Sequence, residues 1–151
     1  MGDWYNILVA VDEMESSIKS IKYVGQIASG LKTVSICLLH VYPEPPPDFY
    51  INNGVLDNYQ AQRIAKAEHI FERALEVLVD VGIERESIYS TTHMAEGKTI
   101  SETILEVRRM GDFGTVVTGK RGVSKAEEFL FGSISNALAR HSNDFSTWIV
   151  G

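Results

Sequence analysis

Apolar residues along this chain fall into short unbroken runs, separated by stretches in which they recur every three or four positions. The first run, residues 5–11, is nearly continuous (Tyr-Asn-Ile-Leu-Val-Ala-Val) and predicts a strand covered on both faces. Asp12 follows at its C-terminal end. Ser16 and Ser17 then stand as N-cap candidates for a helix with an apolar stripe of Ile18, Ile21, Val24, Ile27, Ala28 and Leu31, closing at Gly30. Residues 33–42 predict a second buried strand. It stops at Pro43, and Pro45, Pro46 and Pro47 forbid regular pairing beyond it, so residues 43–54 are expected as a loop.

A long helix is expected over residues 56–81, with Ile64, Ala67, Phe71, Ala74, Leu75, Leu78 and Val79 on its apolar side and Gly82 at its end. Residues 87–92 alternate weakly and predict a third strand. Gly97 and the cap candidate Thr99 introduce a helix carrying Ile100, Thr103, Ile104 and Val107, which ends near Gly111. Residues 115–118 predict a short buried strand, 119–131 a glycine-punctuated charged segment, 133–141 a fourth helix and 145–150 a last strand. Strands alternating with helices imply βαβ units, a parallel sheet of five strands and right-handed crossovers, hence a Rossmann-like α/β three-layer sandwich with helices on both faces. Ligands of such sheets bind beyond the strand C-termini, where strand order reverses. Asp12, the loop over 43–54 and the segment opening at Gly119 all belong to that edge.

Composition narrows the field. At 151 residues with 44% hydrophobic content, the chain is expected to be one domain with an ordinary core. The single cysteine, Cys37, excludes an internal disulfide framework, and its apolar surroundings predict a buried strand residue rather than a reactive thiol. The first residues lack the basic start of a signal peptide, and no apolar run approaches the roughly 18 residues of a membrane span, so the expected location is cytoplasmic, with no membrane partner. A net charge of −6 argues against general nucleic-acid binding, which draws its affinity from neutralising phosphates. A small anion remains compatible with that charge, because a nest of backbone amides acts locally.

The segment from Gly119 to Ser135 carries the clearest chemistry. It leaves a strand and enters a helix, whose N-terminus offers unpaired N–H groups and partial positive charge. Gly132 has no Cβ to hold a phosphate away, Ser133 and Ser135 add hydroxyl donors, and Gly119 and Gly122 permit tight turning around a ligand. Lys120, Arg121 and Lys125 add positive charge. Together they predict a phosphate site. No Gly-Lys-Ser/Thr ends the segment, so it is not a Walker A loop. The first βα turn lacks glycine, so it is not the dinucleotide-binding fingerprint either.

The remaining candidates are weaker. His40, His69, His93 and His141 share no ligand spacing, and His40, near the end of the second strand, reads as structural. Glu13 or Glu15 is a candidate to join Asp12 on Mg²⁺, although acidic residues also simply suit a helix N-terminus. Lys120 and Arg121 would stabilise developing charge, but no general base can be named, so any hydrolysis is expected to be slow.

The spacing Gly119-x2-Gly122-x9-Gly132-Ser133 resembles the ATP-binding signature of the universal stress protein family. Residues 7–12, Leu38-Leu39-His40-Val41, Gly97 with its following helix, and Ile149-Val150 are similar to the family's first strand, second strand, third crossover and closing strand. The resemblance implies sheet order 3-2-1-4-5. It implies that backbone groups of Ala10, Val11 and Val41 flank adenine, and that Asp12 lies near the ribose or a phosphate-bound Mg²⁺. Gly119 would lie beside the ribose, while Gly122, Gly132, Ser133, Ile134 and Ser135 cradle the phosphates of ATP, ADP or AMP. It further implies a homodimer through the last strand, Trp148-Ile149-Val150; pairing would protect an apolar edge that otherwise invites aggregation. Gly114-Thr115 departs from the acidic start usual for strand four, Lys120 from a small hydroxyl residue, and Ser146-Thr147 from a proline-containing strand entry. The functional expectation is an ATP-binding stress-response or signalling domain. The alternatives are a slow Mg²⁺-dependent ATPase or phosphotransferase and a dimerisation module without nucleotide.

Overall fold

The computed structural model describes residues 3–12, 15–119 and 134–151. Five parallel strands form one sheet in the order β3-β2-β1-β4-β5. β1 (Asp3–Ala10) is central, flanked by β2 (Ser35–Pro43) and β4 (Phe113–Gly119), with β3 (Ile88–Ala95) and β5 (Ser146–Val150) at the edges. Leu8 pairs with Cys37 on one side and Val116 on the other, so the three most apolar runs of the sequence lie side by side.

Two cores follow from the two-residue period of the strands. Ile7, Val9, Val11, Ile36 and Leu38 turn to one face, where α1 (Glu15–Ala28) supplies Ile21 and Val24 and α2 (Leu56–Asp80) supplies Ile70, Ala74 and Leu78. Leu8, Cys37, Leu39 and Val116 turn to the other face, against Ile104 of α3 (Ile100–Gly111) and Ile134 and Leu138 of the helical residues 134–140, here α4. The chain therefore builds β2 and β3 on one side of β1 using one face, then β4 and β5 on the other side using the opposite face. The strand order reverses between β1 and β4, and the crevice expected of this topology opens at their C-terminal ends.

Several boundaries differ from the sequence pattern for identifiable reasons. α1 already starts at Glu15, so Ser16 and Ser17 lie inside its first turn and are not its N-cap. α3 has the cap that the sequence predicts. Thr99 Oγ1 accepts the Glu102 N–H at 3.1 Å, while Glu102 Oε2 accepts the Thr99 N–H at 2.8 Å, a complete capping box. α2 has no side-chain cap; its start is held by aromatic packing instead. Tyr59 donates its hydroxyl hydrogen to the Pro43 carbonyl at 2.6 Å, Phe49 and Tyr42 meet Tyr59 edge to face, and the Arg63 guanidinium lies over the Tyr42 and Tyr59 rings. The proline-rich loop after β2 is thereby folded back against α2, beside the carboxyl edge of the sheet.

β4 begins at Phe113, two residues before the predicted start, because Gly114 is a strand residue here. β1 slips past it: Asp3 pairs with Phe113 but Ile7 with Thr115, and the Thr115 hydroxyl donates to the Trp4 carbonyl at 2.8 Å across the irregularity.

Cys37 is buried at 1% exposure, and desolvation pushes its thiol up to about 12, against a smaller lowering by the Tyr89 hydroxyl. At pH 8 only about one molecule in 10⁴ would carry the reactive thiolate, even before access is considered. Native protein is therefore expected to resist iodoacetamide at pH 8 for hours and to react fully once unfolded. Rapid native alkylation, read by intact-mass spectrometry, would contradict the burial.

Candidate functional site

The end of β1 is held in place by two hydrogen bonds. The Val11 N–H donates to the Leu39 carbonyl at 2.8 Å, one step beyond the last formal strand pair. The Val11 carbonyl faces His40 Nδ1 at 2.9 Å; since a carbonyl only accepts, Nδ1 carries the hydrogen. His40 is itself buried and stacks on Tyr42, so this imidazole is a structural clamp linking β2 to the tip of β1. Both backbone groups of Val11 are thus engaged by the protein.

Val41 is placed differently. Leu39 turns its carbonyl towards β1, and strand alternation turns the backbone N–H and C=O of Val41 to the same side, one repeat further on. β1 has ended there: its register with β2 stops at Ala10 and Leu39, while β2 continues through Val41 to Pro43 beside β3. The Val41 peptide edge therefore extends beyond its neighbour at the mouth of the crevice, as a donor and an acceptor side by side. Ala10, at the tip of β1, packs partly into the second core.

Asp12 lies at the entry to α1, half-buried, and Ser17 fixes it. The Ser17 hydroxyl donates to Asp12 Oδ1 at 2.7 Å and accepts the Asp12 N–H at 2.9 Å. Ser17 is 2% exposed. This clamp converts a serine that looks like a cap into the residue that aims Asp12, a role that spacing alone does not reveal.

On the other side of the crevice, Gly119 ends β4. The Ser135 hydroxyl donates to the Gly119 carbonyl at 3.2 Å, and Ser135 is buried. That hydroxyl ties the first turn of α4 to the strand end, so the residue acts first as a brace. Ile134 is also buried, with its side chain in the second core, leaving only its backbone to meet a ligand. Lys120, Arg121, Gly122, Gly132 and Ser133 lie outside the described residues, as do Glu13 and Lys125. The structure thus brings Ala10, Val11, Asp12, Val41 and Gly119 to one edge of the sheet, and the Ser135–Gly119 bond brings the start of α4 to it as well. Among the described residues no group of three or more His, Cys, Asp or Glu is placed to hold a metal ion. His69 and His141 are exposed, and His93 lies on the outer strand β3.

Comparison with known proteins places this arrangement. The model of the universal stress protein family matches residues 4–149. The chain belongs to the universal stress protein family. Among curated proteins it is similar to universal stress protein YxiE of Bacillus subtilis (strain 168), with 24% identity over 143 residues, covering 90% of this chain and 92% of the relative. Among solved structures it is similar to universal stress protein UspA from Lactobacillus plantarum, with a TM-score of 0.76, 14% identity and full coverage of both chains. It is also similar to the universal stress protein from Archaeoglobus fulgidus solved in complex with dAMP, with a TM-score of 0.64, 18% identity and 97% of each chain covered. At these identities the structural likeness speaks for the fold, and it agrees with the sheet order found here. No helix among the described residues is long and apolar enough to cross a membrane.

Proposed function

We propose that this universal stress protein is a single-domain, adenine-nucleotide-binding signalling protein that works as a cytoplasmic homodimer. The observation that carries the reading is the Val41 peptide edge extending past the end of β1. Adenine presents a donor and an acceptor along one edge, and a backbone N–H and C=O on one strand edge complement them without any side chain. In this reading Ala10 and Val11 wall the base, Asp12 approaches the ribose or a phosphate-bound Mg²⁺, and Gly119 lies under the ribose. Gly122, Gly132, Ser133 and the backbone of Ile134 and Ser135 hold the phosphates, with Lys120 and Arg121 nearby. The dAMP complex of the Archaeoglobus fulgidus relative supports the choice of ligand class. Bound Mg²⁺ would screen phosphate charge, with Asp12 supplying one carboxylate and phosphate oxygens and waters completing its shell. For the dimer, the support is that among the described residues β5 pairs with β4 alone and has Ile149 42% exposed, an edge that a second copy would cover.

The decisive experiment is mass spectrometry of small molecules released when freshly purified protein is denatured, paired with titration of nucleotide-free protein with ATP. An adenine nucleotide near one per chain, or saturable ATP binding, is expected. No released nucleotide together with no measurable ATP binding would overturn the reading in favour of a module that acts without nucleotide.

A further inference from the structure

A second hollow opens on the opposite side of the β1 tip from α4. It has a volume of 310 Å³ and is lined by Asp12, Ile18, Lys66, His69, Ile70 and Arg73. Four of these residues come from α2, at positions i, i+3, i+4 and i+7, so they form one stripe down one flank of that helix. Ile70 is rooted in the core and, with Ile18 of α1, makes the apolar wall. Lys66, His69 and Arg73 form the polar wall.

The charge of this hollow runs against that of the protein. The chain has 14 Lys and Arg against 20 Asp and Glu, yet two permanent cations and a histidine line one small cavity with a single carboxylate. Among the described residues Lys98 pairs with Glu106, and His69 Nδ1 lies 4.0 Å from a Glu72 carboxylate oxygen. Among those residues neither Lys66 nor Arg73 has a carboxylate partner. Asp12, the one acid in the lining, has its Oδ1 turned to the Ser17 hydroxyl.

We propose that the hollow between α1 and α2 is a binding site for a compact phosphate-bearing anion, separate from the nucleotide crevice and sharing Asp12 with it. The cavity sits at the small end of ligand pockets, which run from about 300 Å³ upward, so it suits a pyrophosphate-sized group or a phosphorylated metabolite of few atoms. Arg73 offers the planar fork that matches two phosphate oxygens, Lys66 offers a point charge about two helical turns away on the other side of Ile70, and His69 adds a donor between them. Because Asp12 lines this hollow and stands at the tip of β1, an anion here would be felt at the carboxyl edge of the sheet. This assignment does not depend on the nucleotide reading.

The test is a titration of ¹⁵N-labelled, nucleotide-free protein with pyrophosphate. Saturable amide shifts are expected, concentrated at residues 15–18 and 66–73. The Lys66→Ala/Arg73→Ala double variant alters two exposed side chains and should keep the native spectrum elsewhere while losing affinity by roughly tenfold or more. The Lys22→Ala/Lys32→Ala variant, which removes the same charge elsewhere, should retain affinity within about twofold. Shifts confined to the α4 end of the crevice, equal losses in both double variants, or no saturable shift at all would each overturn the proposal.

Discussion

Replacing Gly114 with alanine is expected to destabilise the protein by about 3 kcal/mol, with a fall in Tm of roughly 6–12 °C. A Cβ at this position would lie 2.3 Å from the Asp3 carbonyl oxygen, 2.4 Å from the Asp3 carbonyl carbon and 2.6 Å from the Trp4 nitrogen. These are backbone atoms, so no rotamer change relieves the overlap; β1 must move as a whole or peel away. The register irregularity between β1 and β4 lies at this point, so the absent side chain is what lets the two central strands approach after β1 slips. Relief by peeling would sacrifice the Asp3–Phe113 pairing, the Thr115-to-Trp4 hydrogen bond and the Asn6 contact with the Gly111 carbonyl. Hydrogen exchange should therefore accelerate first over residues 3–6. The control is Gly30→Ala, where a Cβ meets nothing within 4 Å; it should leave Tm within about 2 °C. A Gly114→Ala protein as stable as the parent would show that β1 does not run this close to β4.

The same glycine illustrates what a single sequence can reveal. Of the expected strands 5–11, 33–42 and 115–118, residues 5–10, 35–42 and 115–118 are strand, legible because a strand covered by helices on both faces must be apolar at nearly every position. Gly114 hid the true start of β4, since glycine argues against a strand interior and its reason for being there is the backbone of another strand more than a hundred residues earlier. β3 continues to Ala95, past the expected end at Thr92, because the tail of an edge strand is supported by pairing with Val41, Tyr42 and Pro43 of β2 rather than by its own apolar content. The carboxyl-edge location of Asp12 and Gly119 followed from strand ends alone, and that of Val41 from the family resemblance. The clamp roles of His40, Ser17 and Ser135 did not, because each hydroxyl or imidazole bonds a group that folding brings near. Lys66, His69 and Arg73 were likewise illegible as a unit: on a long crossover helix such a row looks like a solvated face until α1 closes the cavity beside it.

The second large effect is expected at Ser17. Its hydroxyl serves the Asp12 amide and carboxylate at once, in a position with almost no water access, so Ser17→Ala leaves both without this partner and should cost about 1–3 kcal/mol. Part of that cost is charge-dependent. Asp12→Asn keeps an oxygen to accept the Ser17 hydrogen but makes the bond neutral. Ser17→Ala should therefore cost less when made on top of Asp12→Asn, with a coupling of about 1 kcal/mol in a double-mutant cycle read by urea denaturation. The functional consequence separates structure from site. With Asp12 no longer aimed by Ser17, ATP affinity should fall by roughly tenfold at a temperature where the variant is fully folded, which is the scale on which a misplaced charged contact acts. A variant that loses the stability but binds ATP as the parent does would remove Asp12 from the nucleotide site, while leaving the Val41 edge and the α1–α2 hollow to be judged on their own experiments.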